Sequence, residues 1–366
     1  MIIREIALKD FRNYDNVKIE FSDGVNILYG ENAQGKTNIL EACYLCSTGK
    51  SHKGAKDREM INFNADEGHV RSVVFKDERE TTIDIHLRGQ KTKGVAVNHV
   101  PARKSSELYG LLNIVLFSPE DLSIIKSGPE KRRRFMDSEL CQIDKIYLYN
   151  LKKYHKVLDQ RNKLLKDILK KPALKDTLSV WDEKLVEYGN LIIKTRSEFV
   201  LKLFSKCKDI HSGISGGKEE IGIFYEPSVT EKTFEEKLFT AGERDMYSGT
   251  TSVGPHRDDI KITINDIDIR KYGSQGQQRT AALSLKLSEI AIMEETIKDK
   301  PVLLLDDVLS ELDSNRQKDL LNSIKGTQTI ITCTGLDEFV KNRFESDKVF
   351  NVKNGEIKEI TLPEEL

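Results

Sequence analysis

The sequence predicts an α/β protein whose sheet-forming segments lie towards both ends of the chain, with a helical region between them. Three observations lead to this fold class. A glycine-rich loop pattern at residues 30–37 follows a strand-like segment and precedes a helix-like one. Apolar residues then recur at helical spacing from Pro119 to about Phe204, and an apolar run at 302–305 ends in two aspartates. Such continuous apolar runs are typical of strands buried in parallel sheets.

The glycine-rich loop has the pattern G-x-x-x-x-G-K-[ST], which is the phosphate-binding loop of P-loop NTPases. Glycines allow successive backbone N–H groups to turn towards phosphate oxygens, and the positive end of the following helix adds to the attraction. Lys36 can reach the terminal phosphates, and the Thr37 hydroxyl can bind Mg²⁺. A chance glycine-rich turn is the alternative, which the flanking strand and helix patterns disfavour. The predicted nucleotide-binding residues are Gly30, Glu31, Asn32, Ala33, Gln34, Gly35, Lys36, Thr37 and Asn38.

The central region predicts a helical arm. Its apolar residues keep helical spacing, with Pro129 and Pro172 as the breaks, and they indicate two long amphipathic helices folded back on each other. We place this arm at 121–244. The segments 1–120 and 245–366 are then predicted to form one α/β head between them.

The apolar strand at 302–305 leads directly into Asp306 and Asp307. At the carboxyl edge of a parallel strand, the first acid can hold the hydration shell of Mg²⁺, and the second can orient or deprotonate an attacking water. A buried strand that merely ends in solvated aspartates is the alternative, and the upstream phosphate-binding loop disfavours it. The two acids therefore predict the second half of a nucleotide site.

Another phosphate-binding pattern opens the helix that precedes this strand. Ser274, Gln275, Gly276 and Gln277 combine a serine and a glycine at a helix start, where backbone N–H groups are available to an anion. One triphosphate does not need two such helix starts from the same chain. The second is therefore predicted to serve a nucleotide held mainly by another subunit.

Composition limits the class of protein. With 38% hydrophobic residues and 366 residues in all, the chain is globular and long enough for two compact units. Its 58 basic and 59 acidic residues nearly balance, so any nucleic-acid binding must come from a local patch. We find no signal-peptide pattern and no apolar run approaching ~18 residues, which predicts a cytoplasmic protein without a membrane span. Cys43 and Cys46 form a C-x-x-C pair on a predicted helix, where core packing is favoured over zinc binding.

Several stretches together resemble ABC-type ATPase heads. The order of the two halves around a helical insertion is similar to that of SMC proteins, and the closer match is the RecF family of bacterial DNA replication and repair ATPases. The stretches that carry the resemblance cover nearly the full chain. They are residues 8–14, 30–38, 117–122, 132–137, 252–259, 274–279, 304–308 and 310–313.

The RecF resemblance implies an ABC-type ATPase head with an inserted short antiparallel helical arm. It implies the cofactors ATP and Mg²⁺, weak DNA-stimulated ATPase activity, and an ATP-dependent homodimer on double- and single-stranded DNA at gaps and junctions. It also implies cooperation with RecR and RecO. The residue roles that it implies are Lys36 and Asp307 in catalysis, Thr37 and Asp306 on the metal, Ser274, Gln275, Gly276 and Gln277 as a signature motif acting in trans, and Asp313 in the D-loop.

Departures from the common ABC pattern accompany the resemblance. Gln275 stands where the usual signature has glycine, and Asp307 stands where most heads have glutamate. A shorter acid is expected to position water less well, in keeping with slow turnover. The sequence 332–334 replaces the usual switch histidine, and 119–121 occupies the usual place of the Q-loop.

The predicted DNA contacts are Lys53, Lys56, Arg58, Arg132 and Arg133, because lysine and arginine neutralise phosphates and release counterions. Solvated helix faces or internal ion pairs are the alternative for each. Further candidates are the lysine pairs 152–153 and 170–171. The alternative functions are an SMC-like or other ABC-type head, and a DNA-binding scaffold that uses ATP only as a ligand.

Overall fold

A computed structural model describes residues 1–312, 316, 317, 320, 324–335 and 346–360. The chain forms two compact units. The first contains Met1–Asp121 together with the residues from Glu289 onwards, and the second contains Leu122–Ser288. Within the described ranges, no helix is long and apolar enough to cross a membrane. The first unit is thus built from two distant parts of the chain.

Strands dominate the first unit and helices the second. The strands are β1 Ile2–Phe11, β2 Tyr14–Glu20, β3 Val25–Tyr29, β4 Glu67–Lys76, β5 Arg79–Arg88, β6 Gly94–Val97, β7 Val100–Pro101, β8 Ile114–Phe117, β9 Ile221–Glu226, β10 Asp259–Ile264, β11 Ile267–Asp268, β12 Val302–Asp306, β13 Thr329–Cys333, β14 Lys348–Lys353 and β15 Glu356–Ile360. The helices are α1 Lys36–Thr48, α2 Leu122–Lys126, α3 Pro129–Ile143, α4 Lys145–Ile168, α5 Leu178–Ser215, α6 Phe234–Thr240, α7 Gly242–Ser248, α8 Ile269–Tyr272 and α9 Gln275–Ile297.

A mainly parallel sheet positions the candidate site in the first unit. Its strand order is β15-β14-β3-β13-β12-β8. β12 pairs in parallel with β8 and β13, and β3 pairs in parallel with β13 and β14. Neighbours on both sides explain the continuous apolar run of β12, whose residues Val302–Leu305 are fully buried. The loop after β3 and the acids after β12 therefore emerge at the same edge of the sheet, one strand apart.

An antiparallel sheet in the order β2-β1-β4-β5-β6-β7 completes the first unit. Its inward side chains join those of α1 and of the parallel sheet in one apolar core. Cys43 and Cys46 are fully buried in this core, so the C-x-x-C pair packs as the sequence predicts. The core takes residues from both parts of the chain, from Ile3 to Val352, and it fastens the two parts together.

The second unit contains the two long helices that the sequence predicts. α4 and α5 pack against each other and are joined by a short 3₁₀ turn at Pro172–Thr177. Leu158 and Leu165 on α4 and Leu185 and Ile192 on α5 belong to the buried apolar faces. A three-stranded antiparallel sheet in the order β11-β10-β9 lies in the same unit.

The compact units divide the chain differently from the predicted segments 1–120, 121–244 and 245–366. β10 pairs with β9 along six residues, and Arg132 of α3 forms an ion pair with Asp259. These long-range contacts explain why residues 245–288 pack with the helices of the second unit. The assignment of 245–366 to the ATPase head as a functional segment stays a prediction.

Candidate nucleotide-binding site

The phosphate-binding loop has a backbone that only glycine can follow at its end. Gly35, which precedes α1, has φ 112° and ψ 0°. A Cβ atom at Gly35 would lie 2.5 Å from Asn13 Nδ2 and 2.7 Å from Tyr14 Oη. At the start of the loop, a Cβ atom on Gly30 would collide with the carbonyl oxygen of Val352. Other segments of the same chain approach the two motif glycines closely, so a side chain does not fit at either position. The loop and its backbone N–H donors therefore keep a fixed, curved path.

Lys36 lies inside this curve. Its ammonium group donates hydrogen bonds to the carbonyl oxygens of Gly30, at 2.6 Å, and Glu31, at 2.7 Å. Burial lowers the pKa of Lys36, while the nearby Asp307 and Asp306 act in the opposite direction. The ammonium group is thus held where phosphate oxygens of a nucleotide in the loop can replace the two carbonyl groups.

Thr37 and Asp306 meet at the sheet edge, as their predicted common role requires. Thr37 Oγ1 donates to Asp306 Oδ1 at 2.7 Å, although the two residues are 269 positions apart. Thr332 Oγ1, on the adjacent β13, donates to the same oxygen at 2.9 Å. Hydroxyl and carboxylate oxygens are the hard ligands that Mg²⁺ prefers, so the pair fits a magnesium ion. The sequence singles out 332–334 only as the replacement of the switch histidine; the contact of Thr332 with Asp306 follows from the register of β12 and β13, where the two residues pair.

Asp307 leaves the strand in a left-handed conformation, with φ 53°. Its backbone N–H donates to Thr332 Oγ1 at 3.0 Å, and its carbonyl oxygen accepts a hydrogen bond from Ser310 Oγ at 2.8 Å. Burial raises the pKa of the Asp307 carboxyl group, and Lys36 opposes that effect. Positive φ in a non-glycine residue is uncommon and occurs where the surrounding contacts hold it. A partly buried carboxyl group of raised pKa is suited to accept a proton.

A buried ion pair braces the first helix of the site. Arg12 donates through Nε and Nη2 to the two carboxylate oxygens of Glu41, each at 2.8 Å, and through Nη1 to the Glu59 carbonyl oxygen at 2.6 Å. Ser51 Oγ donates to Glu41 at 2.5 Å. Burial alone would raise the pKa of Glu41, but the hydrogen bonds from Arg12 and Ser51 hold it below its ordinary value. A fully buried acid in the middle of a helix needs such partners, and the sequence analysis does not predict this ion pair.

Further polar contacts fix the loop, and sequence reasoning missed those as well. Asn13 Nδ2 donates to the Gln34 carbonyl oxygen at 2.9 Å, and Asn38 Nδ2 donates to Asn13 Oδ1 at 2.8 Å. The Gln34 side chain accepts a hydrogen bond from the Asn354 N–H at 2.6 Å. Asn38 therefore holds the loop through its side chain.

The predicted signature motif lies in the second unit, at the N-terminus of α9. Ser274 N–H donates to Gln277 Oε1 at 3.0 Å, and Gln277 N–H donates to Ser274 Oγ at 3.2 Å. This reciprocal pair is a capping box, which fixes a helix start. Ser274, Gln275 and Gly276 are exposed to solvent. A helix start with fixed, exposed donors can bind an anion from another molecule.

The predicted DNA contacts divide into two groups. Lys53, Lys56 and Arg58 are exposed. Arg132, by contrast, is buried and donates to both oxygens of Asp259, at 2.6 and 3.0 Å, and Arg133 donates to the Asp258 carbonyl oxygen at 2.7 Å. Because the guanidinium group of Arg132 is buried in an ion pair, we remove this residue from the expected DNA surface, while Arg133 is half-buried and stays a prediction. Asp313, the predicted D-loop residue, lies outside the described residues.

A phosphate-binding loop and an acid-ended strand at one edge of a parallel sheet define a P-loop NTPase. The RecF/RecN/SMC N terminal domain family matches residues 2–358. An Smc head domain, from a structure with ScpA derived from Pyrococcus furiosus, aligns with 98% of this chain and 96% of its own at 20% identity and a TM-score of 0.57. This similarity shows the fold, an ABC/SMC-type ATPase head, and the predicted fold class is confirmed.

Two other comparisons are more specific. The chain is 61% identical to the DNA replication and repair protein RecF of Agathobacter rectalis, over 98% of this chain and 99% of the relative. It is 40% identical, with a TM-score of 0.92, to the recombination mediator protein RecF-ATP in the RecFOR pathway, over 98% of this chain and 97% of the other. The chain belongs to the RecF family, and the predicted resemblance is confirmed.

Proposed function

We propose that this chain is an ATP-dependent DNA-binding protein of recombinational repair and replication restart. ATP binding drives two heads together on DNA, and slow hydrolysis reopens them. The observation that carries the proposal is the 2.7 Å hydrogen bond between Thr37 and Asp306, which joins the phosphate-binding loop to the acid-ended strand. The solved relative described as RecF-ATP supports ATP as the nucleotide.

The loop and its neighbours bind the nucleotide. Residues 30–37 surround the phosphates with backbone N–H groups, Lys36 neutralises their charge, and Asn38 keeps the loop in place. Thr37 and Asp306 hold Mg²⁺, which supplies charge neutralisation on the phosphates. The loop that carries the backbone donors is held in place before ATP arrives, which favours binding, and Lys36 exchanges its two carbonyl partners for phosphate oxygens.

Asp307 orients the water that attacks the terminal phosphorus atom. The water oxygen forms the new bond to phosphorus, the bond to the ADP oxygen breaks, and Asp307 accepts the proton of the water, giving ADP and phosphate. Because aspartate has a shorter side chain than glutamate, it reaches less far towards the water. This accounts for a weak ATPase, which we expect DNA to stimulate.

A second copy of the chain completes each nucleotide site. Ser274, Gln277 and the exposed N–H groups at the start of α9 bind the terminal phosphate of ATP held by the partner. Gln275 and Gly276 shape this cap, and Asp313 has the proposed role of the D-loop aspartate in the dimer. Neither head alone supplies all the donors that stabilise the transition state.

DNA is the ligand of the closed dimer, in double- or single-stranded form at gaps and junctions. Lys53, Lys56 and Arg58 are exposed cations of the head that bind its phosphates. RecR and RecO are the protein partners, in agreement with the RecFOR pathway that the description of the solved relative names. The cytoplasm is the expected location.

The test is the mass in solution, measured by light scattering with and without ATP and Mg²⁺. We expect the wild type to change from monomer to dimer with ATP, and Asp307→Asn to stay dimeric for longer because hydrolysis is lost. Lys36→Ala should lose ATP binding and remain monomeric. Ser274→Ala should bind ATP without dimerising, and an ATP-dependent dimer of this variant would refute the cap in trans. Lys184→Ala, an exposed position on α5, is the matched control.

A further inference from the structure

The outer face of α4 carries a line of lysines that the nucleotide site does not use. Lys145, Lys152, Lys156 and Lys163 follow one another at intervals of seven, four and seven residues, and all four are exposed. At about 100° per residue, these intervals place the four within about 20° of one line along the helix, and at about 1.5 Å per residue they span about 27 Å. These four residues form what we call the lysine line.

The charge near the lysine line is locally unbalanced. Lys153, Lys166, Lys170 and Lys171 are also exposed on α4 or directly after it, and the only acids on α4 are Asp159, near the line, and Asp167. The chain as a whole has a formal net charge of −1, so this excess is not a property of the whole protein. Among the described residues, none forms an ion pair with Lys145, Lys156 or Lys163.

The partner helix provides an internal comparison. On α5, the exposed Lys194, Lys202 and Lys208 are interspersed with Glu198 and Asp209. Mixed charges of this kind are typical of a solvated helix face. The lysine line is therefore a feature of α4 and does not extend to the whole hairpin.

The inner face of α4 is fixed by buried polar contacts. Arg161 donates to Asp182 at 2.6 Å and to Asp245 at 2.9 Å, and the Tyr154 hydroxyl is 2.7 Å from His256 Nδ1. The helix therefore presents its outer lysines from a rigid support. A ligand that binds along the line does not have to order the helix first, which lowers the cost of association.

We infer that the lysine line binds the phosphate backbone of DNA, as a second contact surface on the helical hairpin. Ammonium groups spaced along about 27 Å match an extended polyanion with regular charges. Lysine also acts as a point charge, suited to contacts that do not depend on base sequence. The inference rests on the proposed DNA binding and adds the hairpin to its contact surface. An acidic protein partner is the competing occupant that the experiment separates.

The experiment compares two triple variants of the full chain that each remove three lysine charges. Lys145→Gln/Lys156→Gln/Lys163→Gln alters the line, and Lys194→Gln/Lys202→Gln/Lys208→Gln is the control on α5. Binding of a fluorescent 30-base-pair duplex is followed by anisotropy with ATP and Mg²⁺ over a series of KCl concentrations. ATP binding is measured in parallel, and both variants should keep it because the phosphate-binding loop lies in the other compact unit.

Counterion release predicts the size of the effect. Loss of three phosphate contacts lowers the magnitude of the negative slope of log K against log salt by about 2 to 3, and weakens binding by one to two orders of magnitude at about 0.15 M salt. The control should keep the wild-type slope. If wild type binds DNA and the line variant keeps its slope and affinity, the inference is wrong while the proposed function stands. If wild type itself fails to bind DNA, the proposed function fails. Binding of polyglutamate, a model of an acidic protein, is measured with the same variants. If the line variant loses polyglutamate binding and keeps DNA binding, the line is assigned to an acidic protein.

Discussion

Gly35 and Asp307 of the nucleotide site have positive φ for different reasons. Gly35 has φ 112° because Asn13 and Tyr14 occupy the space that a side chain would need. Asp307 has φ 53° and keeps a side chain, and its backbone groups are held by Thr332 and Ser310. The first conformation makes room for a loop, and the second orients a carboxyl group at the end of a strand.

Gly35→Ala should abolish ATP binding. Alanine at this φ costs more than about 1 kcal/mol in backbone strain, and its methyl group must also displace Asn13 or Tyr14 from the loop. Gly128→Ala is the matched control, since Gly128 has φ −70° and no atom within 4 Å of the added carbon. Isothermal titration with ATP measures both variants, and an affinity of Gly35→Ala equal to that of the control would contradict the steric argument.

Thr332→Val should weaken binding of Mg²⁺-ATP about ten- to a hundredfold. The substitution removes a hydrogen bond to the Asp306 carboxylate, and hydrogen bonds to charged groups contribute about 1.5–3 kcal/mol. Thr332→Ser keeps the hydroxyl group and should restore most of the affinity. Titration of ATP with and without Mg²⁺ measures the contribution of this hydroxyl group to nucleotide binding. Equal affinities of the valine and serine variants would show that the hydroxyl group makes no contribution.

ATP hydrolysis should depend on the protonation of Asp307. Burial raises the pKa of this carboxyl group, so it takes up a proton at a higher pH than an ordinary aspartate of about 3.9. The rate should therefore fall as the pH is lowered through this raised pKa, because the protonated acid cannot accept a proton from water. The profile of kcat against pH measures the transition. Asp307→Asn should lack both the activity and the transition, and a variant that retains the wild-type profile would exclude Asp307 as the base.

At the scale of elements, buried arginines connect the long helices to α7 and to the segment that follows it. Arg161 of α4 contacts Asp245 and the Thr251 hydroxyl, each at 2.9 Å. Arg196 of α5 donates to the Pro255 carbonyl oxygen at 2.7 Å and to Asp258 at 3.1 Å. Both guanidinium groups are buried, and they hold the segment between α7 and β10 against the hairpin.

Arg161→Ala should destabilise the protein by about 3–5 kcal/mol. The substitution leaves Asp245, which is fully buried, without its cation, and an uncompensated buried charge carries a cost of this size. Lys184→Ala removes an exposed pair with Glu187, which solvent screens, and should change the stability far less. Urea unfolding followed by circular dichroism gives both values, and a difference below about 1 kcal/mol would mean that the network contributes little.

At the scale of the molecule, the sequence predicts local features well and long-range ones poorly. The phosphate-binding loop and the acid-ended strand are short patterns, and their meeting through Thr37 and Asp306 follows from the carboxyl edge of a parallel sheet. Thr332 depends on the register between strands, and the Arg12–Glu41 pair joins residues from separate elements. The basic run that contains Arg132 looks the same in the sequence whether this arginine binds DNA or, as observed, Asp259. Only the folded chain distinguishes these cases.

In the Ser274→Ala variant, which we expect to bind ATP without dimerising, nucleotide should stabilise the first unit without changing the unfolding of the second. Each unit has apolar clusters of its own, and a ligand at a hundred times its Kd adds about 2.7 kcal/mol to the unit that binds it. The single tryptophan, Trp181, lies on α5 and reports on the second unit. We expect ATP to raise the midpoint temperature of one calorimetric transition. The midpoint of the Trp181 fluorescence change should stay the same. Lys36→Ala should remove the shift, and equal shifts by both probes would show that the units unfold together.

The parallel sheet of the first unit has a consequence in time. β3 ends at Tyr29, and the two strands that flank it, β13 and β14, begin 300 or more residues later, at Thr329 and Lys348. At about 5–20 residues per second, a ribosome needs roughly 15–60 s to make the intervening chain. Once α5 has been made as far as Ser215, the helical hairpin can fold, while the glycine-rich loop still lacks the strands that flank β3. A nascent chain therefore acquires its nucleotide site only after β13 and β14 have been made.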